Sequence, residues 1–557
     1  MNEKYSCDVL VIGGGIAACF AAIKAAEAGA SVVMADKGYV GRSGQSPYAD
    51  SFMVYNPDWG HDLKESVSRI TKVGEYVNNT YWTEKCLLDS FARFEDLRSW
   101  GCKFETKEDG TLRTGKQDGN CQVAVMFDKK AGSYGEVLRR VVKKSGVIIL
   151  DHVMITEFLK NENRISGAIG LTQDTDKPIT ILAKTTVSCA GGCGYKPVGY
   201  PPLMQLTGDI EALAYKAGAA ITGKEFVDTH FSPEGMADPT GQRDAPLPPP
   251  PPKEGEMPKK PKGGMFDRYN CDGELISERP EGTASYAFTY LQSEFEIHKG
   301  KGPITIKGKE SVGGSCLGMS LRKADGLYPA DKECRSTVAG LFAAGDGLGT
   351  MQNGATYDTQ GASICNSAVT GTIAGEAAAK EAAGMKEIKV KEDEIKRALE
   401  FTLSPLKRNG GFTPAWATSL LQNIMAPYFI TFIKKEDRLN AALTYVLFLK
   451  EHIVPNLYAK DIHELRLCHE TANMVLSAEM RLRSGLFRTE SRGNHYREDY
   501  PFRDDKNWLS YTKIFSDNGK MTLEKVMIPE EERLDKEMSY KERYSFRLLD
   551  EKIPEEM

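Results

Sequence analysis

The chain has 557 residues and a formal net charge of −5, with 72 lysines and arginines against 77 aspartates and glutamates. This balance lacks the basic excess of nucleic-acid-binding and polybasic membrane-surface proteins, so neither partner is expected. No apolar run is long enough to span a bilayer. The length exceeds what one core supports and predicts about two to four domains.

The first predicted strand begins near Cys7, which leaves no room for a signal peptide or twin-arginine leader, so we expect a cytoplasmic location. The 12 cysteines are scattered without a CxxC pair or a four-cysteine cluster. This distribution argues against zinc and against an iron–sulfur cluster held by this chain, so no metal site is predicted. Most of these cysteines are expected to be buried as small apolar residues.

The first 36 residues predict a buried strand, a glycine turn, an alanine-rich helix and a second buried strand that ends in an acid. Gly13 permits the tight turn, Gly15 lets a pyrophosphate approach the backbone, and Ala18 lets helix and strand pack closely. Phosphates are favoured at the helix N-terminus, and Asp36 can accept hydrogen bonds from a ribose diol. The motif predicts a dinucleotide site, although the glycines could serve packing alone.

The segment after Asp36 is rich in glycine and hydroxyl residues and has little periodicity. Such a loop can lay backbone N–H groups along a phosphate or a flat ring, although it could also be an ordinary surface loop. Its position just after the ribose-binding acid favours the cofactor. The candidate cofactor residues in it are Lys37, Arg42, Ser43, Gly44 and Gln45.

Two later segments also suggest nucleotide contacts. A predicted strand ends at Ala190 and Gly191, where a small-residue turn would let the backbone pass against a bound nucleotide. Asp209 then opens a predicted helix, where it could contact the cofactor or serve only as the N-cap.

A hydrophobic strand at 338–344 leads to Asp346 and then to a small-residue helix start that contains Ser363 and Asn366. A strand, an acid and a helix start together predict a second phosphate and sugar site. Such a site suits a long cofactor such as FAD, whose parts touch distant points of one fold.

Residues 244–264 form a proline and lysine stretch that predicts an exposed, partly stiff loop. It could be bound by a partner protein that recognises proline-rich segments, or it could be a plain insertion. From about residue 385 the pattern is helical and charged. The tail after Asn507 has little hydrophobic periodicity, so we expect it to wrap or dock rather than form a core.

These segments, in this order, resemble the flavoprotein subunits of the succinate dehydrogenase and fumarate reductase family, which includes L-aspartate oxidase and the large subunit of adenylylsulfate reductase. The motifs that carry the resemblance are 13–18, 207–209, 225–227, 340–346, and the run 490–501 with 503–505 and Trp508. The resemblance implies FAD lying along Asp209, Asp346, Ser363 and Asn366. Many relatives attach FAD to a histidine after the first acid, but residues 38–50 contain none, so noncovalent FAD is expected.

The resemblance also implies an α/β fold: a Rossmann-like FAD-binding domain in two stretches, an inserted α+β capping domain and a C-terminal helical domain. The expected boundaries are 1–220 and 331–384 for the FAD-binding domain, 221–330 for the capping domain, 385–510 for the helical domain and 511–557 for a C-terminal extension. Arg492, His495 and Arg497 are expected to clamp the helical domain onto the FAD-binding domain.

The family's dicarboxylate site is not matched. Its proton-delivering arginine falls at or near Tyr286, and tyrosine can transfer a proton but cannot clamp a carboxylate as arginine does. Its substrate histidine falls at Lys309. Its Gly-Ala-Asn-Arg stretch becomes Gly-Ala-Thr-Tyr at 354–357, and residues 354–366 contain no arginine. Succinate or fumarate is therefore not the expected substrate.

The remaining candidates for the substrate pocket are Tyr286, His230, Lys309, Arg322 and Tyr357. His230 could instead be a structural contact in the capping hinge, and Lys309 and Arg322 could be solvated surface side chains. Tyr357 lies in a glycine-rich loop beside the expected flavin, which makes it the better of the two tyrosines for contacting substrate.

The leading hypothesis is an FAD-dependent oxidoreductase that reduces a carbon–carbon double bond of a small organic substrate, or performs the reverse reaction, by hydride transfer at flavin N5. A separate ferredoxin-like iron–sulfur subunit would exchange the electrons, because the chain has no cluster ligands and no second nucleotide motif. One alternative is adenylylsulfate-reductase-like sulfur chemistry, for which only Arg42, Lys309 and Arg322 offer cations. Another is a flavin electron-transfer subunit whose substrate site lies on another chain.

Overall fold

The computed structural model describes residues 3–115, 118–175, 177–196, 204–227, 268–276, 286–302, 304–306, 309–310, 325–356, 360–386, 388–544 and 546–553, and only the backbone of 286–290, 305, 306, 309 and 310. The strands are β1 Glu3–Ile12, β2 Val32–Ala35, β3 Ser51–Val54, β4 Val123–Met126, β5 Ile148–Leu150, β6 Val153–Asn161, β7 Arg164–Thr172, β8 Pro178–Ser188, β9 Ile221–Thr222, β10 Arg268–Tyr269, β11 Thr305–Ile306, β12 Lys309–Glu310, β13 Leu341–Ala343, β14 Ile433–Lys434, β15 Tyr496–Arg497, β16 Ser510–Asp517 and β17 Lys520–Met527. The helices are α1 Ile16–Glu27, α2 Leu63–Val73, α3 Thr80–Trp100, α4 Tyr134–Lys144, α5 Asp209–Lys216, α6 Tyr286–His298, α7 Ala362–Ala383, α8 Glu392–Leu403, α9 Pro414–Met425, α10 Tyr428–Thr431, α11 Glu436–Phe448, α12 Ile462–Phe487, α13 Asp505–Trp508 and α14 Tyr540–Arg543.

The central sheet has seven strands in the order β5-β2-β1-β8-β7-β6, with β13 also paired to β8. Strand β1 runs parallel to β2 and β8, and β13 runs parallel to β8. Residues 9–12 of β1 are buried and apolar, as a strand covered on both faces requires. Strand β13 comes after residues 221–330, which we call the middle segment of the chain. The residues before and after this segment therefore contribute strands to one sheet. The predicted α/β fold class is confirmed. The exact domain boundaries stay a prediction.

Helices α1 and α7 pack with their backbones in contact. A Cβ atom added at Gly371 would lie 2.5 Å from the carbonyl oxygen of Ala17, and one added at Gly375 would overlap the carbonyl oxygen of Ala21. The distance between two helices depends on the size of the side chains at their contact, so these small residues set a close crossing. The crossing holds α7 directly against the helix that follows the glycine turn.

The middle segment contributes a small antiparallel sheet, β10-β11-β12, and helix α6. Leu291 and Phe295 of α6 are buried in a cluster with Tyr496 and Leu548 from the C-terminal part of the chain. Phe295 and Tyr496 meet edge to face with ring centroids 4.8 Å apart. The middle segment therefore packs on the C-terminal part through one stripe of its helix.

The region from α8 to α12 is helical, as the sequence pattern predicted. Helix α12 is the longest of the described helices, and it packs against α5, α9 and α11. Its apolar residues Leu465, Met474 and Leu482 lie in a second core that is separate from the core around the central sheet. Among the described residues, no helix has both the length and the apolar character needed to cross a bilayer.

The tail after Asn507 docks onto the rest of the protein, but it has more regular structure than its weak periodicity predicted. Strands β16 and β17 form a hairpin, and β16 also pairs with β9, with Ile514 opposite Ile221. Tyr511 and Tyr544 are buried in a cluster with Tyr76. The alternation of apolar residues in β16 covers only a few positions, which explains why it gave little signal.

Glu75 connects the arginine-rich run at 490–505 to the first part of the chain. The residue has a φ of 51°, a left-handed conformation that non-glycine residues rarely adopt. Its carboxylate accepts hydrogen bonds from Arg503 Nε at 2.9 Å, Arg503 Nη2 at 2.6 Å and the Gly493 N–H at 2.8 Å. Its carbonyl oxygen accepts one from Arg492 Nη1 at 2.9 Å. All these groups are buried, so the run is fixed at one point.

Of the three residues expected to clamp the helical region onto the FAD-binding domain, Arg492 reaches that domain at Glu75, His495 reaches Glu225 at the start of the expected capping domain, and Arg497 reaches neither. The buried ring nitrogens of His495 lie 3.1 Å from the carbonyl oxygen of Glu225 and 3.2 Å from that of Arg488. The pKa of His495 is held well below its usual value, chiefly by burial and also by the nearby cations. The Arg497 guanidinium instead pairs with Asp499 at 2.7 Å, within the same region, because that acid lies only two residues away.

Replacing Arg503 with methionine removes the positive charge that faces the buried Glu75 carboxylate while keeping much of the side chain's bulk. We expect the free energy of unfolding to fall by about 3–5 kcal/mol, because loss of one partner leaves a buried charge uncompensated. Urea unfolding followed by circular dichroism measures the change. As a matched control, Arg113→Met removes an arginine that is 64% exposed in its pair with Glu105, and it should shift stability by no more than about 0.5 kcal/mol. Equal losses in the two variants would contradict the assignment.

Candidate functional site

The glycine turn between β1 and α1 forms the floor of a cavity at the carboxyl ends of the parallel strands. Gly13 has a φ of 122°, and a Cβ atom there would overlap the carbonyl oxygen of Cys189 at the end of β8. A Cβ at Gly14 would lie 2.6 Å from the carboxyl carbon of Asp36, and one at Gly15 would lie 2.9 Å from Ser46 Oγ. The turn is therefore in contact with its neighbours on three sides and carries no side chain into the cavity.

Most of the cofactor residues predicted from sequence line this one cavity. They are Gly13, Gly15, Asp36, Lys37, Ser43, Gly44, Gln45, Ala190, Gly191, Asp209, Asp346 and Ser363. They come from six separate stretches of the chain, and the parallel strands bring them together because the carboxyl ends of such strands meet at one edge of the sheet.

Three predicted cofactor residues do not line the cavity. Ala18 is fully buried behind the turn. The Arg42 side chain is 65% exposed and pairs with Glu136 on α4. Asn366 is buried, but Ser367 lines the cavity in its place, because positions four apart, such as 363 and 367, share one face of a helix.

Asp36 is a buried acid that takes part in the cavity wall. It accepts hydrogen bonds from the Ser43 hydroxyl and from the Gly38 N–H, the latter at 3.1 Å. Burial raises the pKa of Asp36 above its usual value, and the hydrogen bond from Ser43 opposes that rise. Its position after β2 suits a carboxylate that accepts hydrogen bonds from sugar hydroxyls.

Lys37 joins the cavity wall to the helical region. Its Nζ donates to Asp209 Oδ2 at 2.7 Å and lies 2.9 Å from Glu470 Oε1 on α12. Glu470 also pairs with Lys196. Burial alone would raise the pKa of Glu470, but the positive charges of Lys37 and Lys196 lower it to about 2. The Lys37 charge is thus balanced by acids rather than free in the cavity.

Asp209 is the first residue of α5 and not its N-cap, which is Gly208 with a φ of 66°. Asp209 Oδ1 accepts a hydrogen bond from Asn473 Nδ2 on α12 at 3.0 Å. Sequence analysis missed both Glu470 and Asn473, because each lies far along the chain from its partner and sits in an ordinary helical pattern. Gln205, whose Oε1 accepts from the Gly44 N–H at 2.9 Å, was missed because it too lies far along the chain from its partner.

The residues of this cavity fit a dinucleotide. The turn leaves room for a pyrophosphate where the first N–H groups of α1 and the helix dipole favour negative charge. Two acids, Asp36 and Asp346, lie in the wall and can accept from sugar or ribityl hydroxyls. Asp346 Oδ1 accepts from Ser363 Oγ at 2.8 Å, which fixes its orientation.

The five catalytic candidates fall outside the residues whose side chains the structure describes. Tyr286 is the first residue of α6 and Lys309 lies in β12, but only their backbones are described. His230, Arg322 and Tyr357 lie outside the described residues, as does the proline-rich loop at 244–264. Their roles stay predictions.

The described cysteines are free thiols, and all but Cys271 are buried. Burial raises the pKa of Cys7 and Cys193 to about 12, so these thiols are unreactive. In the part of the chain that the structure describes, no group of three or more His, Cys, Asp or Glu side chains is placed to hold a metal ion.

Two protein-family models match the chain. The model described as an FAD binding domain matches residues 8–245, and the model described as the fumarate reductase flavoprotein C-term matches residues 419–544. The first stretch contains the glycine turn, Asp36 and Asp209, and the second contains the arginine-rich run. Together they cover well over half of the chain.

Relatives and solved structures match nearly the full length. One subunit of the CoM/CoB fumarate reductase of Methanothermobacter marburgensis is 26% identical over 545 residues, which covers 90% of this chain and 95% of that protein. Adenylylsulfate reductase of Archaeoglobus fulgidus aligns with a TM-score of 0.75 at 19% identity, covering 95% of this chain and 97% of that chain. E. coli quinol fumarate reductase aligns with a TM-score of 0.76 at 18% identity, covering 94% and 97%. At these identities the two structures show a shared fold.

Gly14→Ala tests the cavity directly, since the added methyl group would lie 2.6 Å from the Asp36 carboxyl carbon. We expect FAD affinity to fall by about tenfold or more, because the acid must move out of its place in the wall. The ratio of bound FAD to protein after desalting, read from absorbance, measures this. Gly410→Ala is the control, because nothing lies within 4 Å of a Cβ at that position. Equal FAD retention by both variants would show that the cavity is not the FAD site.

The cavity at the glycine turn, the FAD-domain match and the C-terminal match agree with one another, and they confirm FAD as the cofactor. They also confirm the resemblance inferred from the motifs at 13–18, 207–209 and 490–501. The chain belongs to the succinate dehydrogenase and fumarate reductase flavoprotein family and is an FAD-dependent oxidoreductase.

Proposed function

We propose that this enzyme reduces a carbon–carbon double bond of a small organic substrate, or performs the reverse dehydrogenation. The observation that carries the proposal is the near full-length similarity to a chain of a fumarate reductase, which covers 90% of this chain and 95% of that protein. FAD supplies hydride exchange with a substrate carbon when it is bound.

The chain's own residues would bind FAD, position the substrate and move a proton. Asp36, Asp346 and the glycine turn hold the cofactor in this proposal. Hydride transfer to one alkene carbon requires a proton at the other, so a donor such as Tyr286 or His230 is needed. Tyr357, Lys309 and Arg322 are the further candidates for contacting the substrate.

Succinate and fumarate are poor candidates for the substrate. Residues 354–366 contain no arginine. By the resemblance, the positions of the family's other two dicarboxylate-site residues fall at or near Tyr286 and at Lys309. Arginine offers a planar fork that binds a carboxylate with two hydrogen bonds, and neither tyrosine nor lysine reproduces it.

We also propose that electrons pass through a separate iron–sulfur protein. The sequence has no cysteine spacing that would hold a cluster and no second nucleotide motif. The Methanothermobacter relative is named as one of the subunits of its enzyme, which supports an enzyme of several chains. The sulfur-chemistry alternative loses support, because Arg42 lies on the surface in a pair with Glu136 rather than in the cavity.

FAD is expected to be noncovalent, because residues 38–50 contain no histidine. Precipitating the yellow protein with trichloroacetic acid should leave all the flavin in the supernatant, and a denaturing gel should show no fluorescent protein band. Fluorescence that migrates with the 61.4 kDa chain would contradict this.

The reaction can be tested by photoreducing the flavin without oxygen and adding unsaturated acids, amides and ketones. At least one should reoxidise the flavin about tenfold or more faster than buffer does, and Tyr286→Phe should slow that step about 100-fold because a proton donor is lost. Tyr445→Phe is the control, since Tyr445 is an exposed residue of α11. If no small molecule reoxidises the flavin while an iron–sulfur protein does so rapidly, the chain serves electron transfer only, and the proposal fails.

A further inference from the structure

The loop between Asp346 and Ser363 leaves the cofactor cavity and returns to it. Both of these residues line the cavity, and the hydrogen bond from Ser363 Oγ to Asp346 Oδ1 closes the base of the loop at 2.8 Å. Residues 350–356 therefore lie on a segment that is tied at both ends to the FAD site.

This loop carries buried polar side chains without partners. Gln352, Asn353 and Thr356 are 4%, 6% and 0% exposed. Gln352 Oε1, Asn353 Nδ2 and Thr356 Oγ1 have no hydrogen-bond partner among the described residues. Asn494, which is 2% exposed, has none for either Oδ1 or Nδ2. We call these four residues the amide cluster.

The backbone brings Asn494 to the loop. The Asn494 N–H donates to the carbonyl oxygen of Ala355 at 3.2 Å, and a Cβ at Gly493 would lie 2.5 Å from Thr356 Oγ1. The carbonyl oxygen of Gln352 accepts from Thr83 Oγ1 at 2.7 Å. Hydrogen bonds of the backbone thus fix the position of the cluster, while these side-chain atoms have no hydrogen-bond partner among the described residues.

The charges beside the cluster are already balanced. Arg492 pairs with Glu490 at 2.7 Å and with Asp505 at 2.7 Å. Arg503 pairs with Glu75 at 2.6 Å and also with Glu551. These two described arginines are therefore engaged by carboxylates, and neither is available to hold a carboxylate of a substrate.

Buried polar groups in proteins nearly always have a hydrogen-bond partner, and several orphaned groups on one short segment and the residue that its backbone holds require an explanation. Amide and hydroxyl groups can both donate and accept, so they match an uncharged molecule with carbonyl or amide groups. They do not supply the positive charge that two carboxylates need when they leave water.

We propose that the amide cluster binds the uncharged carbonyl end of the substrate, and that the substrate class is α,β-unsaturated amides or ketones. This rests on the proposed function. A hydrogen bond from an amide N–H to the substrate carbonyl would draw electron density from the conjugated double bond. In such a reaction the π bond would break as reduced FAD supplied hydride to the β carbon and a donor such as Tyr286 or His230 supplied a proton to the α carbon, and the carbonyl would be unchanged. The two electrons come from the iron–sulfur partner class already named.

The test compares molecules that share a carbon skeleton and differ in charge: fumaramide with fumarate, and crotonamide with crotonate. Each is titrated into the oxidised, FAD-loaded protein, and binding is followed by calorimetry and by the shift of the flavin absorption band. The amides should bind at least about tenfold more tightly than the matched carboxylates. Asn353→Ala and Thr356→Val should each weaken amide binding by about tenfold, since each removes one hydrogen bond.

Asn440→Ala is the matched control, because Asn440 is an exposed asparagine of α11. Asn494→Ala is measured as well, with its FAD content as a check on folding. If Asn494→Ala loses FAD, the amide affinity of Thr356→Val decides whether the cluster binds the substrate, since valine keeps the size of the side chain and removes only the hydroxyl. Carboxylates that bind as tightly as the amides, or cluster variants that bind amides like the parent, would show that the cluster holds water only.

The two proposals fail in different ways. If carboxylates bind and reoxidise the photoreduced flavin while amides do neither, the substrate class is wrong and the proposed function stands. If amides bind at the cluster but no unsaturated compound reoxidises the flavin, the binding assignment stands and the proposed reaction is wrong.

Discussion

Close contact between backbones is the constraint on which the structure depends. The turn at Gly13 lies against the end of β8, and α7 lies against α1 through Gly371 and Gly375. Each contact fails if a Cβ is added, so the small residues determine how near the elements lie. The distance matters because the cavity walls come from these same elements. A wider crossing would separate Ser363 on α7 from the turn below it.

The sequence alone predicted the place of a functional residue where that residue belongs to a local pattern. Gly13, Asp36, Gly191 and Asp346 each follow a buried strand, and parallel strands bring their carboxyl ends to one edge. Such a pattern does not show where the side chain of a loop residue points. Arg42 was therefore predicted to line the cavity, although its side chain lies outside the cavity and pairs with Glu136. The helical region followed from periodicity and the α/β class from the resemblance that the motifs carry, whereas the weakly alternating strands β16 and β17 were not predicted.

The remaining gaps concern contacts between distant parts of the chain. Lys37 meets Glu470, and Asp209 meets Asn473, although hundreds of residues separate the partners. Nothing near α12 in sequence marks these two positions as different from other polar helical residues. The orphaned groups of the amide cluster were invisible for a related reason, since only a folded structure shows which polar atoms lack a partner.

The contact of α12 with the cavity wall couples the binding of FAD to the docking of the helical region. Because Glu470 and Asn473 hold Lys37 and Asp209 in place, the wall is complete only after the helical region has docked. A ligand that binds only the folded state stabilises it by mass action, by about 2.7 kcal/mol at 100 times its Kd. Free FAD in the cell therefore favours the docked arrangement of the whole chain. During synthesis, a nascent chain that ends before Glu470 lacks these acids and amides, so we expect the cofactor to be captured late, near the end of translation.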